Sequence, residues 1–116
     1  MFRQFILIAM PRVPAPKVFI VVELSIYLQT LDPNHKYVKW IAGMKAVLKE
    51  NMFSGELIKK NQIPKYYIEK FGVHHLYRYD HPEGHRSCYA IIEGCPRIFD
   101  IMTHAEYDLR FGYKTT

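Results

Sequence analysis

The chain has 116 residues, room for one domain and not for two. Hydrophobic residues make up 49% and charged residues 23%, a balance that excludes a disordered chain. Lys and Arg number 16 against 11 Asp and Glu, for a net charge of +5 with six His besides, and aromatic content is 15%; that pairing favours polyanionic partners, where cations hold phosphates and rings stack on bases.

The chain opens MFRQFILIAMPRVPAPK. Its apolar stretch is short and no A-x-A site follows, so no export signal is expected. The longest apolar runs fall short of the roughly 20 residues that a membrane-spanning helix needs. A cytoplasmic location is therefore expected. Pro11, Pro14 and Pro16 break regular structure, so residues 1–16 are expected to form a loosely attached extension before one domain over 17–116. An internal start near Met10 fits the same reading. Cys88 and Cys95 are too few for a disulfide scaffold.

Residues 17–22, KVFIVV, are β-branched and apolar on both sides, which predicts a central strand. Residues 24–31 are read as a short helix. Asp32-Pro33 predicts a helix start, with a capping carboxylate followed by proline at the first helical position. Tyr37, Trp40, Ile41, Met44, Val47 and Leu48 then recur at helical spacing as far as Asn51, with Lys36, Lys39, Lys45 and Lys49 on the solvated side. Gly55 marks a turn and residues 57–60 a short extended piece. Residues 63–71, IPKYYIEKF, read as a helix begun by Pro64 and ended by Gly72.

Three strands are predicted next: residues 74–80, 85–92 and 97–102. They are joined by the turns HPEG and EGCP into an antiparallel meander. Alternation along the middle strand puts His85, Ser87, Tyr89 and Ile91 on one face and Arg86, Cys88, Ala90 and Ile92 on the other. Thr103 and Glu106 form a capping box that opens a last helix through Phe111, stopped by Gly112. Segregated helices and strands predict an α+β fold.

Arg78 and Arg86 lie eight residues apart across a tight hairpin. If they share a face, they make a cationic pair suited to a phosphate. His104 follows at the first turn of the last helix, with Tyr107 close by, and offers a titratable group. Such a set suits phosphodiester chemistry: one group handles the ribose 2′-OH and the leaving oxygen, and Arg holds the developing charge. The alternative is that the arginines are exposed strand positions paired with Asp80, Glu83 or Glu106. His74, His75, His81 and His85 with the two cysteines do not match a standard zinc spacing, so no metal or other cofactor is expected.

The segment LYRYDHPEGHRSCYAII resembles the core hairpin of the RelE/ParE toxin superfamily. There a basic strand turns into one of the form (aromatic or His)-Arg-x-x-Tyr-x-(apolar), matched here by His85, Arg86, Tyr89 and Ile91. The ending RIFDIMTHAEYDLRFGY is similar to the superfamily's last strand and its His- and Tyr-bearing tail. The likeness covers residues 17–113. It implies a RelE-like sheet: an N-terminal strand, a helical region, a three-stranded meander and a short C-terminal helix. It implies a toxin that cleaves mRNA on the ribosome without metal and is neutralised by a cognate antitoxin. Members with the same fold instead poison DNA gyrase, and inactive relatives that only bind RNA or protein are the other alternative. By this resemblance Arg86 and Arg78 would hold the scissile phosphate and His104 or Tyr107 would transfer the proton. Lys59, Lys60, His85 and Tyr77 would contact RNA.

Overall fold

Four helices and five strands are described over residues 12–113 of the computed structural model. In chain order they are β1 (Phe19–Ile20), α1 (Val22–Gln29), α2 (Lys36–Glu50), β2 (Glu56–Leu57), α3 (Lys65–Phe71), β3 (Tyr77–Asp80), β4 (Arg86–Ile92), β5 (Cys95–Ile98) and α4 (His104–Phe111). The strands form one mixed sheet in the order β1-β5-β4-β3-β2, in which only β1 and β5 run parallel. This is an α+β arrangement with the meander β3-β4-β5 at its centre. No described helix is long and apolar enough to cross a membrane.

The alternation predicted for β4 sorts the core. Tyr89 and Ile98 face α1 and α2, where they pack with Leu24, Ile41, Met44 and Leu48. Cys88 and Ala90 face the other way, against Tyr67 of α3, Tyr107 of α4, and Phe99. The sheet is thus covered on both faces. Because aromatic side chains each bury 150–250 Å², the fully buried Tyr67, Tyr89 and Tyr107 carry much of this packing.

Several expectations are corrected. The first strand is an edge strand and not a central one: β1 pairs only with β5, and Phe19 is exposed. Its run is apolar on both sides because Val18, Ile20 and Val21 pack toward α1 and α2, while the Phe19 ring is covered by the Arg97 guanidinium, 5.6 Å away.

Asp32 and Pro33 do not start α2. The Asp32 carboxylate accepts from Asn34 N–H at 2.7 Å and closes a local turn. His35 caps the helix instead, its Nδ1 accepting from Tyr37 N–H at 3.0 Å.

The last strand does not run unbroken to Met102. Its register with β4 shifts by one residue between the pairs Tyr89–Ile98 and Arg86–Met102. The extra residue is accommodated at Asp100, whose carboxylate takes the Cys88 N–H at 2.8 Å, so the strand is bulged there.

Of the segment expected to be loosely attached, residues 12–16 are held to the end of α2. Met52 N–H donates to Val13 C=O, Ala15 N–H donates to Lys49 C=O, and Ala15 is buried. Residues 1–11 lie outside the described part of the chain.

The turn after β4 is shorter than the expected EGCP: Cys95 and Pro96 already belong to β5, paired with Ile92 and Ile91, because Glu93 and Gly94 alone reverse the chain. Glu93 and Gly94 both have positive φ, 53° and 81°, the pairing that matches the twist of a two-residue hairpin. The capping box is present in both directions: Thr103 Oγ1 accepts from Glu106 N–H, and Glu106 Oε1 accepts from Thr103 N–H.

Candidate functional site

Antiparallel pairing sets residues directly opposite one another on the same face. Arg78 pairs with Cys88 and Asp80 with Arg86. Hence Arg78, Asp80 and Arg86 share the face that carries α3 and α4, beyond the ground those helices cover. Asp80 lies between the two arginines. It accepts from Arg78 Nε at 2.9 Å and stands 3.7 Å from Arg86 Nε. Arg78 also reaches Glu56 on β2 at 2.8 Å.

Arg86 is held differently. Its guanidinium lies over the Tyr107 ring, 4.8 Å from the centroid. Its side chain makes no hydrogen bond within 3.5 Å to any described residue, though only 22% of it is exposed. A planar cation oriented on a ring, with its N–H fork unspent, is suited to bidentate contact with an oxyanion.

Tyr107 is 1% exposed. Burial pushes its hydroxyl up to about 12, and the nearby Arg78 acts in the opposite direction. It is therefore a protonated phenol at neutral pH: a donor, not a base. His104 lies one turn earlier on α4. Its Nε2 is 3.1 Å from the Asp108 carboxylate, and the imidazole is more than half exposed. Gly84 of the β3–β4 turn comes up against it. The structure therefore gathers Arg78, Arg86 and Tyr107 into one cluster, with His104 at its edge.

It does not gather the remaining four. Tyr77 stacks on Tyr89, with centroids 5.1 Å apart, on the opposite face of the sheet. His85 is buried on that opposite face under α2, its Nε2 3.1 Å from the Tyr37 hydroxyl and its ring against Trp40. Strand alternation alone separates both from the arginines. Lys59 and Lys60 stand past the end of the β2–β3 pairing, beside His74 and His75. The histidines considered for metal are dispersed: His81 is buried with its Nε2 2.7 Å from Ser87 Oγ, His75 Nε2 accepts from Ile91 N–H, and no group of three metal-type side chains forms among the described residues.

A second polar cluster was not visible in the sequence. Asp100 accepts from Tyr67 Oη at 2.6 Å, from Cys88 N–H at 2.8 Å and from Arg110 Nη1 at 3.2 Å. Burial raises its carboxyl to about 6 against the pull of these partners. Arg110 stacks on Tyr66, 4.1 Å from the centroid. The cluster ties α3 and α4 to the bulge after β5, and so sets where Tyr107 meets Arg86. Asp80, by contrast, is the partner that the alternative reading named for the arginines, and it pairs with Arg78: it stands two residues from Arg78 on one strand, directly across the hairpin from Arg86.

Comparison with family models, with curated proteins and with solved structures finds no match to this chain.

Proposed function

We propose that this protein is a toxin of the RelE type, a ribosome-dependent mRNA endoribonuclease controlled by a cognate antitoxin. The element order is compatible: a short strand, a helix pair, a meander and a terminal helix, with β2 and α3 added between the pair and the meander. The observation that carries the reading is Arg86, which is aligned by Tyr107 and Asp80 and yet has its donors unspent.

In the proposed reaction the ribose 2′-oxygen attacks the adjacent phosphorus and the P–O5′ bond breaks. The products are a 2′,3′-cyclic phosphate and a free 5′-hydroxyl. His104 accepts the 2′-OH proton, and the leaving 5′-oxygen takes up a proton from solvent or from the protonated His104. Arg86 binds the non-bridging oxygens, whose charge grows in the transition state, the usual place for the largest single contribution. The Tyr107 phenol supports Arg86 from beneath.

Two observations favour a second reading, a non-enzymatic module directed at gyrase, RNA or a protein. Arg78 is already engaged by Glu56 and Asp80, so half of the cationic pair is neutralised within the chain. α3 and α4 also cover the Cys88–Ala90 part of the same face.

The test is to express the protein in cells and in a translating extract. Growth arrest with new 5′ ends on translated messages, absent from the same messages when initiation is blocked, supports the nuclease. Arrest with intact mRNA and inhibited supercoiling by purified gyrase selects the second reading.

A further inference from the structure

The turn between β3 and β4 carries strain next to the candidate site. Glu83 has φ 61° and ψ 28°, a left-handed conformation that residues with a Cβ avoid. Gly84 follows with φ 74°. It passes so close to α4 that a Cβ built on it would lie 3.5 Å from His104 Cβ and 4.0 Å from His104 Nδ1. Arg86 comes just after it and opens β4. The turn therefore joins the two groups to which the proposed reaction assigns the base and the phosphate contact. Strain of this kind persists only where the surroundings impose it.

What imposes it is the start of α2. His85 is buried there, and both of its ring nitrogens are engaged. Nδ1 is 3.1 Å from Glu83 C=O. A carbonyl oxygen only accepts, so Nδ1 carries a proton and donates. Nε2 of the neutral ring accepts from the Tyr37 O–H, 3.1 Å away. Lys36, beside Tyr37 on α2, pairs with the Glu83 carboxylate at 2.9 Å. Trp40, one turn further along α2, packs against the His85 ring at 5.1 Å and stacks on His81 at 6.0 Å. Each end of the turn is thus gripped by α2. Glu83 is held twice, its main chain through His85 and its side chain through Lys36. An apolar residue at 85 would serve packing alone; the histidine adds two directed hydrogen bonds that fix the backbone of the turn.

We infer that Tyr37 and His85 are positioning residues: through Glu83 they hold Gly84 against His104 and fix the strand end that carries Arg86. The catalytic part of this inference rests on the nuclease reading. The chain of contacts from Tyr37 to His104 does not.

Tyr37→Phe tests it. The variant keeps the ring, with its contacts to His85 and Trp40, and removes only the hydroxyl that donates to His85. Wild type and variant are compared at a temperature where both are fully folded. The NMR signals of the Gly84 amide and the His104 imidazole report the turn and the base. Cleavage of message on programmed ribosomes, at rising protein concentration, gives a saturating rate and a half-saturating concentration. The expected result is a shift of the Gly84 and His104 signals and a fall of about tenfold in the saturating rate, since a misplacement of about 1 Å can cost about 10²-fold. The half-saturating concentration should stay that of wild type, as for a group that acts after binding. A residue that serves the fold alone leaves the saturating rate of the folded protein unchanged. Unmoved Gly84 and His104 signals, an unchanged saturating rate, or a change confined to half-saturation overturns the inference. The outcomes separate it from the proposed function. Cleavage by wild type that Tyr37→Phe matches removes the positioning role and leaves the nuclease. A wild type that cleaves nothing, beside Gly84 and His104 signals that shift in Tyr37→Phe, removes the nuclease and leaves the contact chain.

Discussion

The Arg86 guanidinium lies over the Tyr107 ring, 4.8 Å from its centroid, so that α4 sets the position of a side chain on β4. Such contacts contribute about 0.5–2 kcal/mol, more when partly desolvated, as here. Tyr107→Phe keeps the ring and should retain the fold and most of the stability. Tyr107→Ala empties a core position and should cost about 3 kcal/mol or more by denaturant unfolding. If the phenol matters to the reaction beyond holding Arg86, Tyr107→Phe will lose activity while keeping stability.

The buried His81 and the largely shielded Asp100 pull stability in opposite directions across one pH range. Burial, with His85 adding to it, holds His81 down to about 4. The folded protein therefore keeps His81 neutral, a contribution that is full above the ordinary value of 6.5 and lost as pH falls toward 4. Asp100 is raised from 3.8 to about 6, so its ionisation opposes folding at neutral pH and that cost disappears as pH falls below 4. Each effect amounts to about 3 kcal/mol, because a tenfold change in a proton affinity is worth about 1.4 kcal/mol. From pH 7 to pH 4, wild type should lose about 3 kcal/mol relative to His81→Gln and gain about 2 kcal/mol relative to Asp100→Asn. Urea unfolding at both pH values measures the two differences.

Two glycines should respond oppositely to alanine. At Gly55 a Cβ would come 2.7 Å from Arg78 C=O and 2.7 Å from the Tyr89 ring. The Tyr89 hydroxyl there accepts from Gly55 N–H and donates to Met52 C=O. Gly55→Ala must push β2 away and should cost about 2 kcal/mol. At Gly43, exposed in the middle of α2, alanine should add about 0.8–1 kcal/mol through helix propensity alone. Thermal melts of the pair give the contrast in one experiment.

The Thr103 cap ties the start of α4 directly beneath His104. Thr103→Ala removes one side of the capping box and should cost about 1 kcal/mol. Because the lost bond is at the helix end that carries His104, activity should fall further than that loss of stability alone accounts for. Measuring residual activity at a temperature where wild type and Thr103→Ala are both fully folded separates the two effects.

The parts that the sequence made legible are those set by neighbours along the chain. The Thr103–Glu106 box and the alternation of β4 each depend on a few adjacent residues, and each stands in the structure as expected; the turn expected at EGCP is there but takes only Glu93 and Gly94. Asp32 shows the limit of that method. It is a proper capping residue followed by proline, but Asn34 N–H is nearer than any helix end, and His35 takes the role. The role of Asp100 depends on Tyr67, Cys88 and Arg110, which are 33, 12 and 10 residues away, and no local pattern announces it. At the candidate site the shared face of Arg78 and Arg86 follows from hairpin register. The same alternation already set His85 opposite Arg86, and along β3 it sets Tyr77 opposite Arg78, so the RNA contacts that the resemblance implied for these two do not join the arginines.

The central claim is that Arg86 holds the phosphate that is cut. Primer extension on messages from a translating extract, with wild type beside Arg86→Ala and Arg86→Lys, tests it most directly. Loss of the charge-assisted donors to the transition state should cost about 10²-fold or more in cleavage for Arg86→Ala. Arg86→Lys should recover only part of that, because an ammonium cannot make the two-pronged contact. Discrete 5′ ends of undiminished intensity from a folded Arg86→Ala protein would contradict the account.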